Sequence, residues 1–171
     1  MIYAGIGSRE TPQSVMEEMR HLAHHLALKG YTLRSGGADG ADTAFEAGCD
    51  WGNGKKEIFI PWNGFSGRRL NEHGVIVYQD PTAEKIASQF HPNWRACKQG
   101  ARVLHARNVA QILGADIGKD PQTDFVVCWT KNASGAGGTG QAIRIAQHYN
   151  IPVFDLGDTA NYDRLAAFIP E

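Results

Sequence analysis

Three short runs of small residues limit how this chain can fold. They are Gly5-Ile6-Gly7-Ser8-Arg9, Ser35-Gly36-Gly37-Ala38-Asp39-Gly40 and Gly135-Ala136-Gly137-Gly138-Thr139-Gly140. Each follows an apolar run of strand character and precedes a segment of helical character. Glycine supplies 20 of 171 residues, about 12% against a usual share of about 7%, and the excess gathers in these clusters. A strand that ends in a glycine turn and passes into a helix is the repeating unit of a parallel sheet.

The rest of the chain fits that alternation. Ile2 to Ile6 suits a buried first strand. Thr11 reads as an N-cap with Pro12 at the first helical position, and Val15, Met19, Leu22 and Leu26 follow at spacings of four, three and four, the stripe of an amphipathic helix closed by Gly30. Tyr31 to Ser35 is a second strand, Ala41 to Cys49 a short helix, and Glu57 to Ile60 a strand stopped by Pro61. Trp62 to Gly74 reads as loop and Val75 to Tyr78 as a short strand. Helices are expected over Thr82–Gln89 and Arg95–Leu113, separated at His91-Pro92-Asn93. Asp124 to Trp129 is the clearest buried strand, followed after the third glycine loop by a helix from about Gln141 to Tyr149. Ile151 to Leu156 and Tyr162 to Phe168 close the pattern with a strand and a helix. The expected fold is α/β, a Rossmann-like three-layer sandwich with a mostly parallel central sheet, in one domain over residues 1–171.

Composition narrows the function classes. Seventeen Lys and Arg against eighteen Asp and Glu leave a net charge of −1, which argues against a protein that simply coats nucleic acid. The longest apolar runs are only a few residues, too short to span a membrane. The start Met1-Ile2-Tyr3-Ala4-Gly5 lacks the basic front and apolar centre of a signal peptide. Cys49, Cys97 and Cys128 are odd in number and widely spaced, so neither a disulfide framework nor a zinc knuckle is expected, and a cytoplasmic location fits. His21, His24 and His25 share one helix without a partnering carboxylate spacing, so no metal site and no cofactor are expected.

In an open parallel sheet, ligands bind outside the strand ends where the strand order reverses. If the first strand is central with Asp124–Trp129 beside it, the first and third loops flank that point and the second lies one strand away. Glycine lets backbone N–H groups approach an anion, and a helix N-terminus adds favourable electrostatics. A phosphate-bearing ligand is the natural expectation. None of the loops carries the full dinucleotide fingerprint or the P-loop: Glu10 stands where the third glycine of G-x-G-x-x-G would fall.

Gly5-x-Gly7-Ser8-Arg9, Ser35-Gly36-Gly37-Ala38-x-Gly40-Ala41-Asp42 and Gly137-Gly138-Thr139-Gly140 together resemble the SLOG superfamily, which includes DNA-processing protein A, the Lonely-Guy phosphoribohydrolases and small proteins of bacteria and bacteriophages. The resemblance runs from the first strand to the last. It implies a Rossmann-like domain that binds nucleotides, nucleotide-derived signals or single-stranded DNA, and, for a bacteriophage protein, a location in the host cytoplasm. Members of the superfamily often form dimers, so a homodimer is among the implied assemblies. The Lonely-Guy signature P-G-G-x-G-T-x-x-E is only partly matched, since Ala136 replaces its proline and Arg144 stands where its catalytic Glu should be. A cation cannot take the place of that carboxylate.

The expected ligand-binding residues are Gly5, Gly7, Ser8 and Arg9 in the first loop, Ser35, Gly36, Gly37, Ala38, Asp39 and Gly40 in the second, and Gly137, Gly138, Thr139, Gly140 and Gln141 in the third. Asp42 and Glu46, four apart on one helix face, are the candidate catalytic carboxylates. They would bind a ribose hydroxyl or assist cleavage of a glycosidic bond, although acids also favour a helix start on electrostatic grounds alone. Arg68, Arg69, Trp62 and Phe65 in the Trp62–Gly74 loop are placed to close over a ligand. Arg95, Lys98, Arg102 and His105 recur at three, four and three, with Arg107 and Asn108 after them and no acid from Asn93 to Ala115. Arg102 and Arg107 are accordingly expected to bind an anion, whether a phosphate or a nucleic-acid backbone. The leading expectation is a binder of a nucleotide or nucleotide-derived small molecule. The rivals are a nucleotide N-glycosidase and a single-stranded DNA-processing module.

Overall fold

The computed structural model describes residues 1–171. Its strands are β1 (Ile2–Gly5), β2 (Thr32–Ser35), β3 (Lys55–Ile60), β4 (Val75–Val77), β5 (Phe125–Cys128) and β6 (Val153–Asp155). Its helices are α1 (Gln13–Leu28), α2 (Ala41–Trp51), α3 (Pro81–Gln89), α4 (Gln99–Leu113), α5 (Gly137–His148) and α6 (Ala160–Phe168). All six strands are parallel, in the order β4-β3-β2-β1-β5-β6. The chain steps outward from β1 to β4, then returns through α3 and α4 to place β5 on the other side of β1, where Ala4 pairs with both Arg34 and Val126. The strand order reverses between β1 and β5.

Alternation along each strand feeds two cores. Tyr3, Leu33, Phe125 and Val127 point to one face, against Met19, Ala23 and Leu26 of α1, Phe45 of α2 and Leu165 of α6. Ala4, Phe59, Val126 and Cys128 point to the other, against α3, Ala106, Val109 and Ala110 of α4, and Ala142 and Ile145 of α5. Burial on both faces explains why β5 reads as an unbroken apolar run. Helices α1 and α2 pack closely because Gly48 has no side chain: a Cβ there would lie 2.0 Å from the Arg20 carbonyl oxygen.

Several boundaries differ from the sequence reading. Pro12, not Thr11, occupies the cap position of α1, because the Thr11 hydroxyl turns back to donate to the Ser8 carbonyl at 2.6 Å. The expected helix Arg95–Leu113 is split into a 3-10 turn at Trp94–Ala96 and α4. Cys97 and Lys98 are extended, with ψ of 130° and 162°, so Arg95, Lys98, Arg102 and His105 do not form one helical stripe. Helix α5 starts four residues earlier than expected, so that Gly137 to Gly140 form its first turn.

Candidate ligand-binding site

A cavity of about 570 Å³ opens outside the C-terminal ends of β1 and β5. Ile6 to Glu10 form one wall, and Thr130, Lys131 and Ala136 to Thr139 form the opposite one. Ala38 and Asp42 close the β2 side, and α4 contributes Leu104, His105, Arg107, Asn108 and Gln111.

The first loop is fixed by β5. Ile6 N–H donates to the Val127 carbonyl at 3.1 Å and Ser8 N–H to that of Trp129 at 3.3 Å. Gly7 is pressed between α2 and β5, where a Cβ would lie 2.6 Å from that of Ala41. Gly5 serves packing: a Cβ would enter the Phe45 ring at 2.5 Å. Ser8 and the exposed Arg9 line the cavity.

Most of the second loop is structural. Ser35 donates its hydroxyl to the Gly5 carbonyl at 2.6 Å, and Gly37 and Gly40 take φ of +67° and +92°, a region that L side chains rarely enter. Asp39 is exposed outside the cavity lining. Gly36 leaves room for Arg107, whose Nη1 donates to the carbonyls of Gly36 and, at 3.3 Å, Phe59. Its guanidinium carbon lies 5.3 Å from the centre of the Phe65 ring. Arg107 is only 8% exposed, and its buried Nε has no partner.

Asp42 lies across the cavity, 4% exposed. Burial pushes its carboxyl up to about 6, against the opposing pull of the Arg107 charge and the Ala38 N–H, which donates to it at 3.2 Å. Glu46, one turn further along α2, is outside the cavity lining. It receives both Nη atoms of Arg68 at 2.6 Å and Lys56 Nζ at 2.8 Å. Burial alone would raise its carboxyl, but these bonds hold it below the ordinary range. Of the two candidate carboxylates, Asp42 lines the cavity and Glu46 does not. Arg68 is likewise committed to Glu46 and Glu72, and Phe65 is buried under Arg107.

In the third loop, Gly137 and Gly138 face open space, and Gly138 and Thr139 stand at the start of α5, where backbone N–H groups have no partner within the helix. Gly140 permits a close approach to the Gly135 carbonyl. Gln141 is buried and outside the lining. Its Nε2 donates to the Ala87 carbonyl at 3.1 Å, and its Oε1 accepts from Asn108 Nδ2 at 3.1 Å and from His105 Nδ1 at 2.8 Å. Arg102 also lies outside, donating to the Trp94 carbonyl at 3.2 Å with its guanidinium 5.4 Å from the Trp94 ring centre. Arg144 donates to the Phe90 carbonyl at 2.9 and 3.2 Å.

The sequence reading missed Gln111, Thr130 and Lys131 as lining residues. Thr130 and Lys131 immediately follow the β5 run, where position at a strand end was itself a signal. Gln111 is one helical turn beyond Arg107, on the same face.

No protein-family model and no curated protein sequence matches the chain. Solved structures share its fold. DNA processing protein A from Helicobacter pylori, described for its single-stranded DNA binding mode, matches with a TM-score of 0.60 and 19% identity over 91% of this chain and 64% of that one. The molybdenum cofactor carrier protein MCP from Chlamydomonas reinhardtii matches with a TM-score of 0.54 and 14% identity, covering 89% of this chain and 72% of that chain. The structural-genomics target TM1055 gives 0.51 and 19%, with coverage of 89% and 71%. The chain thus shares the Rossmann-like α/β fold of these structures. It spans less than two thirds of the length of the DNA processing protein A chain.

Proposed function

We propose that the protein binds a nucleotide or nucleotide-derived small molecule in the cavity between β1 and β5. The observation that carries this reading is the Arg107 guanidinium, buried with an unpartnered Nε in the wall of a cavity that also receives the open N-terminus of α5. A phosphate there would take backbone N–H groups of α5 and a charge-assisted bond from arginine. Gly138 keeps the approach to α5 clear, and Arg9 and Lys131 add positive charge around the opening. Asp42 would accept from a ribose hydroxyl. The volume falls within the usual range for small-ligand sites, about 300–1,000 Å³. Two of the fold relatives are described for binding single-stranded DNA and for carrying the molybdenum cofactor, which supports reading the cavity as a ligand site.

Mass spectrometry of the supernatant from denatured, freshly purified protein tests the reading, together with calorimetric titration of common nucleotides. A retained nucleotide, or saturable binding lost in Gly138→Val, supports it. Absence of both rejects it, and salt-dependent binding of a single-stranded oligonucleotide that mononucleotides do not displace would put DNA in its place.

A second reading rests on Asp42. A carboxyl raised to about 6 keeps a protonated fraction near neutral pH that can pass its proton to a departing base, the chemistry of a nucleotide N-glycosidase. Chromatography of free base after incubation decides it: release by wild type that disappears in Asp42→Asn, with binding kept, supports catalysis.

A further inference from the structure

His91, Cys97 and His105 converge beside the cavity although six and eight residues separate them in turn. One ring nitrogen of each histidine and the cysteine Sγ all lie within 4.8 Å of one another. The extended residues between the Trp94–Ala96 turn and α4 bring this about, because they swing Cys97 back towards His91 instead of continuing the helix. Cys97 Sγ lies 3.8 Å from His91 Nδ1 and 3.6 Å from Nε2. A tetrahedral zinc ion with Zn–S of about 2.3 Å and Zn–N of about 2.0–2.1 Å needs a sulfur–nitrogen separation of about 3.6 Å.

We propose that His91, Cys97 and His105 hold a zinc-class divalent cation at the rim of the cavity, with a fourth coordination position left open. The hydrogen bonds around the cluster fix which lone pairs are free. Gln141 Nε2 is held by the Ala87 carbonyl, so its Oε1 must be the atom facing His105 Nδ1. His105 Nδ1 is therefore the protonated nitrogen, and Nε2 carries the lone pair. An outer partner that sets the tautomer of a liganding histidine is a regular feature of metal sites. His91 presents a lone pair at Nδ1, now accepting the Asn93 N–H at 3.0 Å, and the cation would replace that N–H. On binding, the Cys97 thiol loses its proton to solvent as the metal–sulfur bond forms, so the thiolate cancels one of the two positive charges. One thiolate and two imidazoles suit zinc or cobalt over the oxygen-seeking calcium and magnesium. Three protein ligands with an open position describe a reactive zinc site more than a structural one. His105 also lines the cavity, so the fourth ligand is water or an oxygen of the cavity's occupant.

The test needs no knowledge of that occupant. The reduced full-length protein is freed of metal with a chelator and titrated with Co²⁺, and zinc affinity is measured by competition with a chromophoric chelator. Wild type is expected to take up one equivalent, with the intense visible bands of tetrahedral cobalt and a thiolate-to-cobalt charge-transfer band. Cys97→Ser is expected to lose the charge-transfer band, and His105→Ala to weaken zinc at least about tenfold, each with the metal-free melting temperature close to wild type. A wild-type protein that shows no saturable uptake overturns the proposal. So does a charge-transfer band that survives in Cys97→Ser. Nucleotide binding without metal uptake would leave the cavity assignment standing and remove the metal site alone.

Discussion

A Cβ on Gly36 would lie 2.0 Å from Arg107 Nη1 and 2.5 Å from Gln111 Nε2, so a single methyl group tests whether Arg107 is seated as described. Gly36→Ala is expected to cost about 1–3 kcal/mol through overpacking, read from the urea midpoint, and to weaken the cavity's ligand along with it. Gly138→Val should behave differently. Its Cβ meets open space, so melting should stay within the usual range for surface changes while affinity for a phosphate-bearing ligand falls. Gly37→Val is no such clean probe, because φ is +67° and a Cβ would stand 3.1 Å from Ile60. Asp42 carries a pH signature. Its carboxyl is raised to about 6 when folded, against about 3.9 in an unfolded chain, so the folded state holds the proton more tightly. The stability this confers is full below about pH 4 and is lost as pH rises through about 6. Asp42→Asn should therefore flatten the melting temperature across that window; an unchanged pH profile would show that burial does not perturb this acid.

At the scale of elements, Glu46 joins three segments by pairing α2 with Lys56 of β3 and Arg68 of the connection between β3 and β4. Removing one partner of a buried ion group leaves the others uncompensated. Glu46→Gln is expected to destabilise by about 3 kcal/mol while leaving ligand affinity at the wild-type level. The same network fades on acidification: a folded carboxyl held low contributes stability above about pH 4.3 that is lost as pH falls through its folded value. Sequence periodicity revealed the elements that bury one clear face or two, such as α1 and β5, and with them the loops flanking the reversal of strand order. It failed where tertiary contacts override local pattern. Nothing in the spacing of Arg95 to Arg107 reports that Cys97 and Lys98 are extended. Asp42 and Glu46 share a helix face, yet only coordinates show that Lys56 and Arg68 claim the second. Arg107 reads in the sequence as an anion-binding residue, but its burial follows from a glycine 71 residues away, which no local spacing reports.

For the molecule as a whole, one sheet separates both cores, and every strand pairs only with a parallel neighbour. We expect residues 1–171 to unfold in a single transition, with far-ultraviolet circular dichroism and tryptophan fluorescence giving coincident curves; separated midpoints would divide the chain into more than one cooperative unit. The ladder between β1 and β5 joins Tyr3 to Phe125, so the cavity's opposite walls come from distant stretches of chain. A growing polypeptide therefore has no pocket to fill until its second half has been made and docked. Once the walls meet, an occupant works as a clasp across the seam. At a hundred times its dissociation constant it would add about 2.7 kcal/mol against opening, enough for a thermal-shift screen of small molecules to find it without any assay of activity.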